Sequence, residues 1–341
     1  MRTGTTDNTQ TTTGRKLMDA WAIHRFADFK RDNALLSHEK LPLPPKVEPH
    51  DVLIRMHGAE VGDWDALVAN GEWSVERSFP IVLGLAGAGT IVEVGKSVVD
   101  LQKSDLVYTY NHPLSHRGCP SAHHNGAWAQ YMLVPFDRVA LAPTSLDLTH
   151  AGAVPIIGST AHETIVDILR VVRNHVVLIT AAAGGVGHLA VQIAARRGAQ
   201  VIAIAGRRNH EFLRGLGAAM TIDYKEADFV EVVRRAFPAG VDKALNGVEG
   251  ETANKVVQVM TPIGHVVDLT GTATAKLPDG RVDTEYVVRP DRRRLTELAQ
   301  MLDGGELKLE VSRVAPFADA SAALAEVLGK HVRGVVALGI R

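Results

Sequence analysis

The sequence predicts an α/β protein of two domains, a doubly wound parallel sheet and a second, β-rich domain. Three observations carry this. At 341 residues the chain is about twice the ~150 residues of a common domain. Its hydrophobic periodicity changes along its length: short, turn-punctuated β-type runs fill residues 19–142, and strands alternating with helices fill 148–271, the pattern of a parallel sheet with crossover helices. Between one of those strands and one of those helices stands a glycine-rich turn, Gly184-Gly185-Val186-Gly187.

The elements follow in order. The first fourteen residues hold seven threonines and almost nothing apolar, so residues 1–17 are expected to be a disordered tail without a signal peptide. Residues 52–56, 88–94 and 106–110 carry the β-branched and aromatic content of strands. The prolines of 41–45 block helix and central strand alike, which leaves an extended connector. Further strands are expected at 176–180, 201–205, 220–223, 241–246 and 265–269, with the clearest helix at 188–197. After Pro290 come a helix at 293–302, a β-like stretch at 307–314, a helix at 318–328 and a closing strand at 335–338.

Composition narrows the function. An apolar fraction of 46% and a charged fraction of 22% are those of a globular chain. With 37 basic against 38 acidic residues there is no excess charge to attract a polyanion, so nucleic acid is not an expected partner. One cysteine can form neither an internal disulfide nor a structural zinc finger, which favours a cytoplasmic protein. No run approaches the ~18 apolar residues of a membrane span.

The glycine turn is the strongest local signal. Against G-x-G-x-x-G, Ala182 takes the first position, Gly184 the second and Gly187 the third. Gly184 would let the backbone approach a pyrophosphate, and Gly187 would let the helix pack closely on its strand. The phosphates would sit at the positive end of that helix. A purely structural turn is the alternative; the flanking strand, helix and second strand favour a dinucleotide. That second strand runs into Gly206-Arg207-Arg208, where NAD-binding chains place an acid for the ribose 2′-hydroxyl. A guanidinium forks onto a 2′-phosphate that a carboxylate would repel, so NADP(H) is expected. Two solvated arginines opening a helix are the other reading.

Together with the blocks at 80–95 (PIVLGLAGAGTIVEVG), 126–131 (GAWAQY), 158–161 (GSTA), 222–229 (IDYKEADF) and 333–336 (RGVV), these features resemble the medium-chain dehydrogenase/reductase superfamily. The likeness is to its zinc-independent quinone oxidoreductase, or zeta-crystallin-like, branch, and it extends over residues 20–340. It implies a GroES-like catalytic domain at 18–146, a Rossmann NADP(H)-binding domain at 147–288, and a segment at 289–341 that returns to the first domain.

The resemblance also assigns residues. The zinc ligands of the family's alcohol dehydrogenases fall at Gly62, Leu85 (with Ala86 for the adjacent Glu) and Ile156, none of which binds metal. The structural zinc lobe falls at 111–126, where Cys119 alone remains; with His112, His116, His123 and His124 it is expected to form a solvated or substrate-lining loop, a metal site being the alternative. Cofactor contacts are implied at Trp64 and Asp65 near the nicotinamide, with Thr160 beneath it, and at Gly184, Gly185, Val186 and Gly187 on the pyrophosphate. Gly206, Arg207, Arg208 and Tyr224 would face the 2′-phosphate, with His210 where relatives often have Lys. Asn246, Leu269 and Gly271 would line the strand ends, and Lys330 is a further contact. Trp64, Trp73 and Trp128 are expected in the substrate pocket. Gly62 replaces a common Asn, and Asn246 a common Asp.

Without a metal, hydride transfer to a simple ketone builds an alkoxide that nothing stabilises. A quinone or an α,β-unsaturated carbonyl spreads that charge itself. The expected activity is therefore NADPH-dependent, zinc-independent reduction of a quinone or an activated C=C bond. Enal, enone or enoyl-thioester reduction is the narrower alternative, and an NADPH-binding protein without turnover is the rival of another class. Tyr110 and His112 are candidate proton donors, beside water; packing or solvation is their alternative role. The resemblance implies a homodimer through edge strands near 266–269 or 285–288.

Overall fold

The computed structural model describes residues 11–12, 15–44, 46–72, 79–112 and 126–340. An antiparallel ribbon opens the fold: β1 (Thr11–Thr12), β2 (Arg15–Ile23) and β3 (Ser37–Pro42), with β5 (Ile81–Val82) paired to the end of β2. β2 starts inside the segment expected to be a tail. It is anchored by alternation: Met18, Ala20 and Ala22 enter one apolar cluster, Trp21 and Ile23 another. Strand β3 likewise enters the expected proline connector, because it is an edge strand and Pro42, its last residue, removes no ladder bond that the sheet needs.

β4 (Asp51–Val61) is the spine of a seven-stranded sheet. It pairs with β6 (Ala86–Val94) on one side and, on the other, with β8 (Tyr131–Pro135) over one half and β17 (Val335–Gly339) over the other half. β7 (Leu106–Tyr110) and β9 (Val139–Leu141) extend one edge, and β16 (Val311–Pro316) the opposite one. The end of the chain therefore completes a sheet begun by its first half. The strand expected from 307 starts only at Val311, because residues 308–310 bond to a helix instead: Lys308 N–H donates to Gln192 Oε1 at 2.8 Å, and Glu310 N–H to His188 Nε2 at 3.2 Å.

Helix α1 (Asp63–Asn70) leaves β4 directly, and α2 (Leu148–Ala151) and α3 (Pro155–His162) lead to the second sheet. Pro155 opens α3 where a missing N–H costs least. The helix then loosens into a π-helical stretch, Glu163–Ile168.

The second sheet is parallel throughout: β10 (Val176–Ile179), β11 (Gln200–Ile204), β12 (Met220–Ile222), β13 (Val241–Asn246), β14 (Met260–Asp268) and β15 (Arg281–Asp283). Its crossovers include α4 (Gly185–Arg196), α5 (His210–Gly215), α6 (Phe229–Ala236) and α7 (Glu251–Gln258). Val177 and Ile179 face one core, shared with α3, α4 and α8 (Arg292–Asp303); Leu178 faces the other, with α6 and α7. Burial on both faces explains the unbroken apolar run of β10. The first of these cores also takes Ala88 and Tyr108 from the seven-stranded sheet, so it joins the two halves. Helix α9 (Ala320–Leu328) covers the other side of the first sheet. Among the described residues, no helix is long and apolar enough to cross a membrane.

Strand order β12-β11-β10-β13-β14-β15 reverses direction between β10 and β13. In an open parallel sheet the ligand crevice forms at that switch point, outside the carboxyl ends of the strands. The glycine turn leaves β10 there.

Candidate active site

Thr180 follows β10, and the chain reverses at Ala181, whose φ of 47° puts the left-handed residue one place before the position expected from the motif. Gly184 caps α4, and a glycine cap offers no side chain to the first N–H groups of the helix, which stay available to an anion. Gly187 is fixed by space: a Cβ there would lie 2.3 Å from the Ala181 carbonyl oxygen and 2.7 Å from Ala182 Cα. One at Gly184 would meet nothing nearer than 3.3 Å, which leaves a cradle for an incoming group. Gly185 lies against α3, where its Cβ would come 3.0 Å from Ile157, and Thr160 follows on that helix, buried. Val186 is half-buried beside them.

Two features of this turn lie beyond any local motif. His188, fully buried, donates from Nδ1 to the Gly184 carbonyl at 2.9 Å while Nε2 accepts from Glu310 N–H. Burial lowers its pKa, so the ring is neutral, as those two bonds require. Gly334 N–H donates to the Ala183 carbonyl at 2.8 Å, and Gly334 bridges Gly184 as a one-residue parallel pair. Both clamp the turn to the C-terminal segment.

At the end of β11, Gly206 has open space around it, and Arg207, Arg208 and Tyr224 gather on the surface. The acid absent from β11 is supplied by its neighbour: Asp223, at the end of β12, accepts Arg207 N–H at 2.9 Å. The Arg207 guanidinium forks onto Glu226, with Nε at 2.8 Å from Oε1 and Nη2 on Oε2. Arg208 donates to the His331 carbonyl at 2.9 Å, and His210 bonds the Ala205 carbonyl at 3.0 Å.

At the ends of β13 and β14 a buried polar network replaces an open contact. Asn246 accepts from Thr180 Oγ1 at 2.6 Å and donates to Val248 O and Asp268 Oδ1, both at 2.8 Å. Asp268 also accepts from the N–H groups of Thr270, Thr272 and Ala273 and from Thr270 Oγ1. An Asp at 246 would face this carboxylate, which explains the Asn. Asn246 thus positions the loop carrying Leu269 and Gly271, where a direct cofactor contact was expected.

The catalytic side needs further corrections. Asp65, expected near the nicotinamide, is fully buried, and its carboxyl accepts Gly62 N–H at 3.0 Å and Gly84 N–H at 3.2 Å, so it braces the wall behind the site. Burial pushes its pKa up to about 8. Trp128, expected in the pocket, is wholly buried: its indole lies over Gly84 and its Nε1 donates to the Glu60 carbonyl at 3.0 Å. Tyr110 is buried with its hydroxyl donated to the Val288 carbonyl at 3.0 Å, and burial holds its pKa well above the usual phenol range, so its proton is committed. His112 packs edge-on against it, also buried. Lys330 pairs with Glu249 at 3.0 Å. Trp73, His116, Cys119, His123 and His124 lie outside the described residues.

Glu60 escaped sequence reasoning. It is fully buried at the end of β4, and its carboxylate accepts the Ile156 and Ile157 N–H groups at 3.0 and 3.2 Å, capping α3 from another sheet. Burial raises its pKa strongly.

Among the described residues, the three positions that hold the family's catalytic zinc carry no donor side chain. Leu85 and Ile156 join one apolar cluster with Trp64, and the Trp64 ring lies over Gly62, where a Cβ would come within 2.1 Å of it. That overlap also accounts for glycine in place of the common Asn. These residues do not fit the metal. The phosphate turn, by contrast, fits a dinucleotide. A cavity of about 340 Å³ beside Ile193, Arg196 and Arg197 lies at the opposite end of α4 and plays no part in this site.

Comparison with known proteins agrees with this architecture. Residues 48–144 match the model of the alcohol dehydrogenase GroES-like domain, and residues 216–338 that of the zinc-binding dehydrogenases. The chain is 30% identical to the 2-methylene-furan-3-one reductase of Solanum lycopersicum, over 88% of this chain and 73% of that one. It is 28% identical to the NADPH-dependent alkenal/one oxidoreductase of Arabidopsis thaliana, over 89% and 74%. The quinone oxidoreductase structure from Coxiella burnetii superposes with a TM-score of 0.83 at 26% identity, over 96% of this chain and 100% of that one. Against the synaptic vesicle membrane protein VAT-1 homolog of Homo sapiens, 28% identical over 66% of this chain, the match spans about half the relative's length, 54%. Glycine turn, strand order, returning C-terminal strand and these relatives together establish that the chain belongs to the medium-chain dehydrogenase/reductase superfamily, in its quinone oxidoreductase branch.

Proposed function

We propose that this chain is an NADPH-dependent oxidoreductase that passes hydride to a quinone or to the C=C bond of an α,β-unsaturated carbonyl, without a catalytic zinc. The observation that carries the reading is the set of side chains at the metal-ligand positions: a glycine covered by Trp64, together with Leu85 and Ile156, all carbon. NADPH, when bound, supplies the hydride. Gly184, Gly185, Val186 and Gly187, at the start of α4, would hold its pyrophosphate; Gly206, Arg207, Arg208 and Tyr224 its 2′-phosphate; Trp64 and Thr160 the nicotinamide side; Leu269 and Gly271 the strand-end lip. Carbon walls offer developing charge no partner, so the substrate must spread that charge itself. The names of the alkenal/one and furanone reductases and of the quinone oxidoreductase point to the same substrate class. With Tyr110 committed to Val288, water delivers the proton that follows. The working form in this reading is a cytoplasmic homodimer joined at the sheet edge that β15 forms just before 285–288, since the other expected stretch, near 266–269, falls at the end of β14 between β13 and β15; the single cysteine supports the compartment.

NADPH oxidation against a panel of quinones, enals, enones and enoyl thioesters tests it, with metal content measured on the same protein. Turnover by metal-free protein is the expected result. Tight NADPH binding with no turnover across the panel would favour the non-catalytic rival, and activity lost to a chelator would refute zinc independence.

A further inference from the structure

We propose that Glu226 is a specificity-determining residue, an internal anion that holds the seat of the cofactor's 2′-phosphate on Arg207 and so restrains the preference for NADPH over NADH. The inference rests on the cofactor reading above and concerns what sets its strength. Arg207 is fixed at its backbone, where Asp223 Oδ2 accepts its N–H at 2.9 Å. Its guanidinium then meets Glu226 through Nε at 2.8 Å and through Nη2, a side-on fork of the kind that phosphate oxygens also accept. Glu226 is placed there by the same acid: the turn after β12 closes through Lys225 N–H on Asp223 Oδ1 at 2.9 Å and Glu226 N–H on the Asp223 carbonyl at 3.2 Å.

The pair is built to exchange. The two side chains are 73% and 50% exposed, so water screens their attraction and either can turn away at small cost. A phosphate brings up to two negative charges where the carboxylate has one, and Arg208 makes no ion pair among the described residues, so an arriving 2′-phosphate finds one cation ready and one to be won from Glu226. A 2′-hydroxyl asks for neither. Asp223, almost buried, is instead a carboxylate of the type that accepts a ribose hydroxyl. Glu226 therefore penalises the phosphorylated cofactor alone.

Titration of the full chain with 2′,5′-ADP and with 5′-AMP, for wild type, Glu226→Gln and Arg207→Ala, reads this directly. Removing the competing charge in Glu226→Gln is expected to tighten 2′,5′-ADP by about two- to fivefold, the range for an exposed ion pair, and to leave 5′-AMP unchanged. Arg207→Ala should weaken 2′,5′-ADP only. Unchanged or weaker 2′,5′-ADP binding by Glu226→Gln would overturn the proposal and make Glu226 a mere support for Arg207. If wild type binds both nucleotides equally, the cofactor reading itself fails, and the proposal with it.

Discussion

Asp65→Asn exposes the energetics of the buried wall behind the site. The wild-type carboxyl titrates near 8, pushed up from an ordinary value of 3.8 by complete burial. Because the raised value belongs to the folded state, the folded protein keeps a proton that the unfolded chain releases near pH 4. The stability this proton confers is complete below that pH and is lost as pH rises to about 8. Between pH 5 and 8.5 about three of those pH units are crossed, which at about 1.4 kcal/mol per unit is about 4 kcal/mol. Asparagine has the same shape and no titration, so its curve lacks this slope. It sets an NH2 group against the N–H of Gly62 or Gly84, at a cost of about 1–3 kcal/mol at every pH. The two proteins should thus be near equal in stability at pH 5 and differ by about 3–5 kcal/mol in favour of the variant at pH 8.5. Urea unfolding of both across that range, with unchanged m, measures it; Glu60 titrates in both and largely cancels. Parallel curves would refute the reasoning, for they would mean that the two amide donors hold Asp65 ionised in the folded protein.

Two further substitutions probe the buried networks. Arg294, 5% exposed on α8, donates to Glu163 Oε1 at 3.1 Å and to Asp167 Oδ2 at 3.3 Å, and Arg294→Met should cost about 3–5 kcal/mol by leaving Glu163 without its cation; chemical denaturation that finds less than about 1 kcal/mol would show the pair to be solvated. Asn246→Asp sets a second carboxylate against Asp268, now 2.8 Å from the Asn246 amide, and should lower Tm at neutral pH, weaken nucleotide binding, and recover in part at acid pH as one carboxyl takes up a proton; equal Tm at all pH values would contradict the network.

How far the fold was legible depends on how local each cause is. The β10–turn–α4 unit could be read because its Val/Ile run and glycine spacing are fixed by neighbours in sequence, and the parallel strands after it share that property. Arg207 and Arg208 were visible for the same reason. Glu226, which occupies Arg207, was not, since their contact spans nineteen residues and two strands. His188 and Glu60 were invisible altogether: the first is explained by Glu310 and the second by Ile156, 122 and 96 positions away. Trp128 and Tyr110 kept two roles open in the sequence because an aromatic near a cleft and an aromatic beneath it have the same signature, and only the carbonyls of Glu60 and Val288 show where each is anchored. Strand β2 begins three residues inside the expected tail because Arg15 and Lys16 pair with β1 and Leu17 with Pro42 of β3, partners that the local sequence does not show.

The bridge between Gly184 and Gly334 ties the phosphate turn to the returning C-terminal strand. Gly334 has φ of 67°, and a Cβ there would fall 2.0 Å from the Glu310 carbonyl oxygen, so the crossing admits neither a side chain nor slack. Two residues on, Val336 is in register with Val61 of β4, next to Gly62 and the Trp64 ring. The two sheets are therefore pinned together at the phosphate end of the crevice. A nucleotide seated on the turn therefore bears on the joint between the two sheets as well as on the helix it caps.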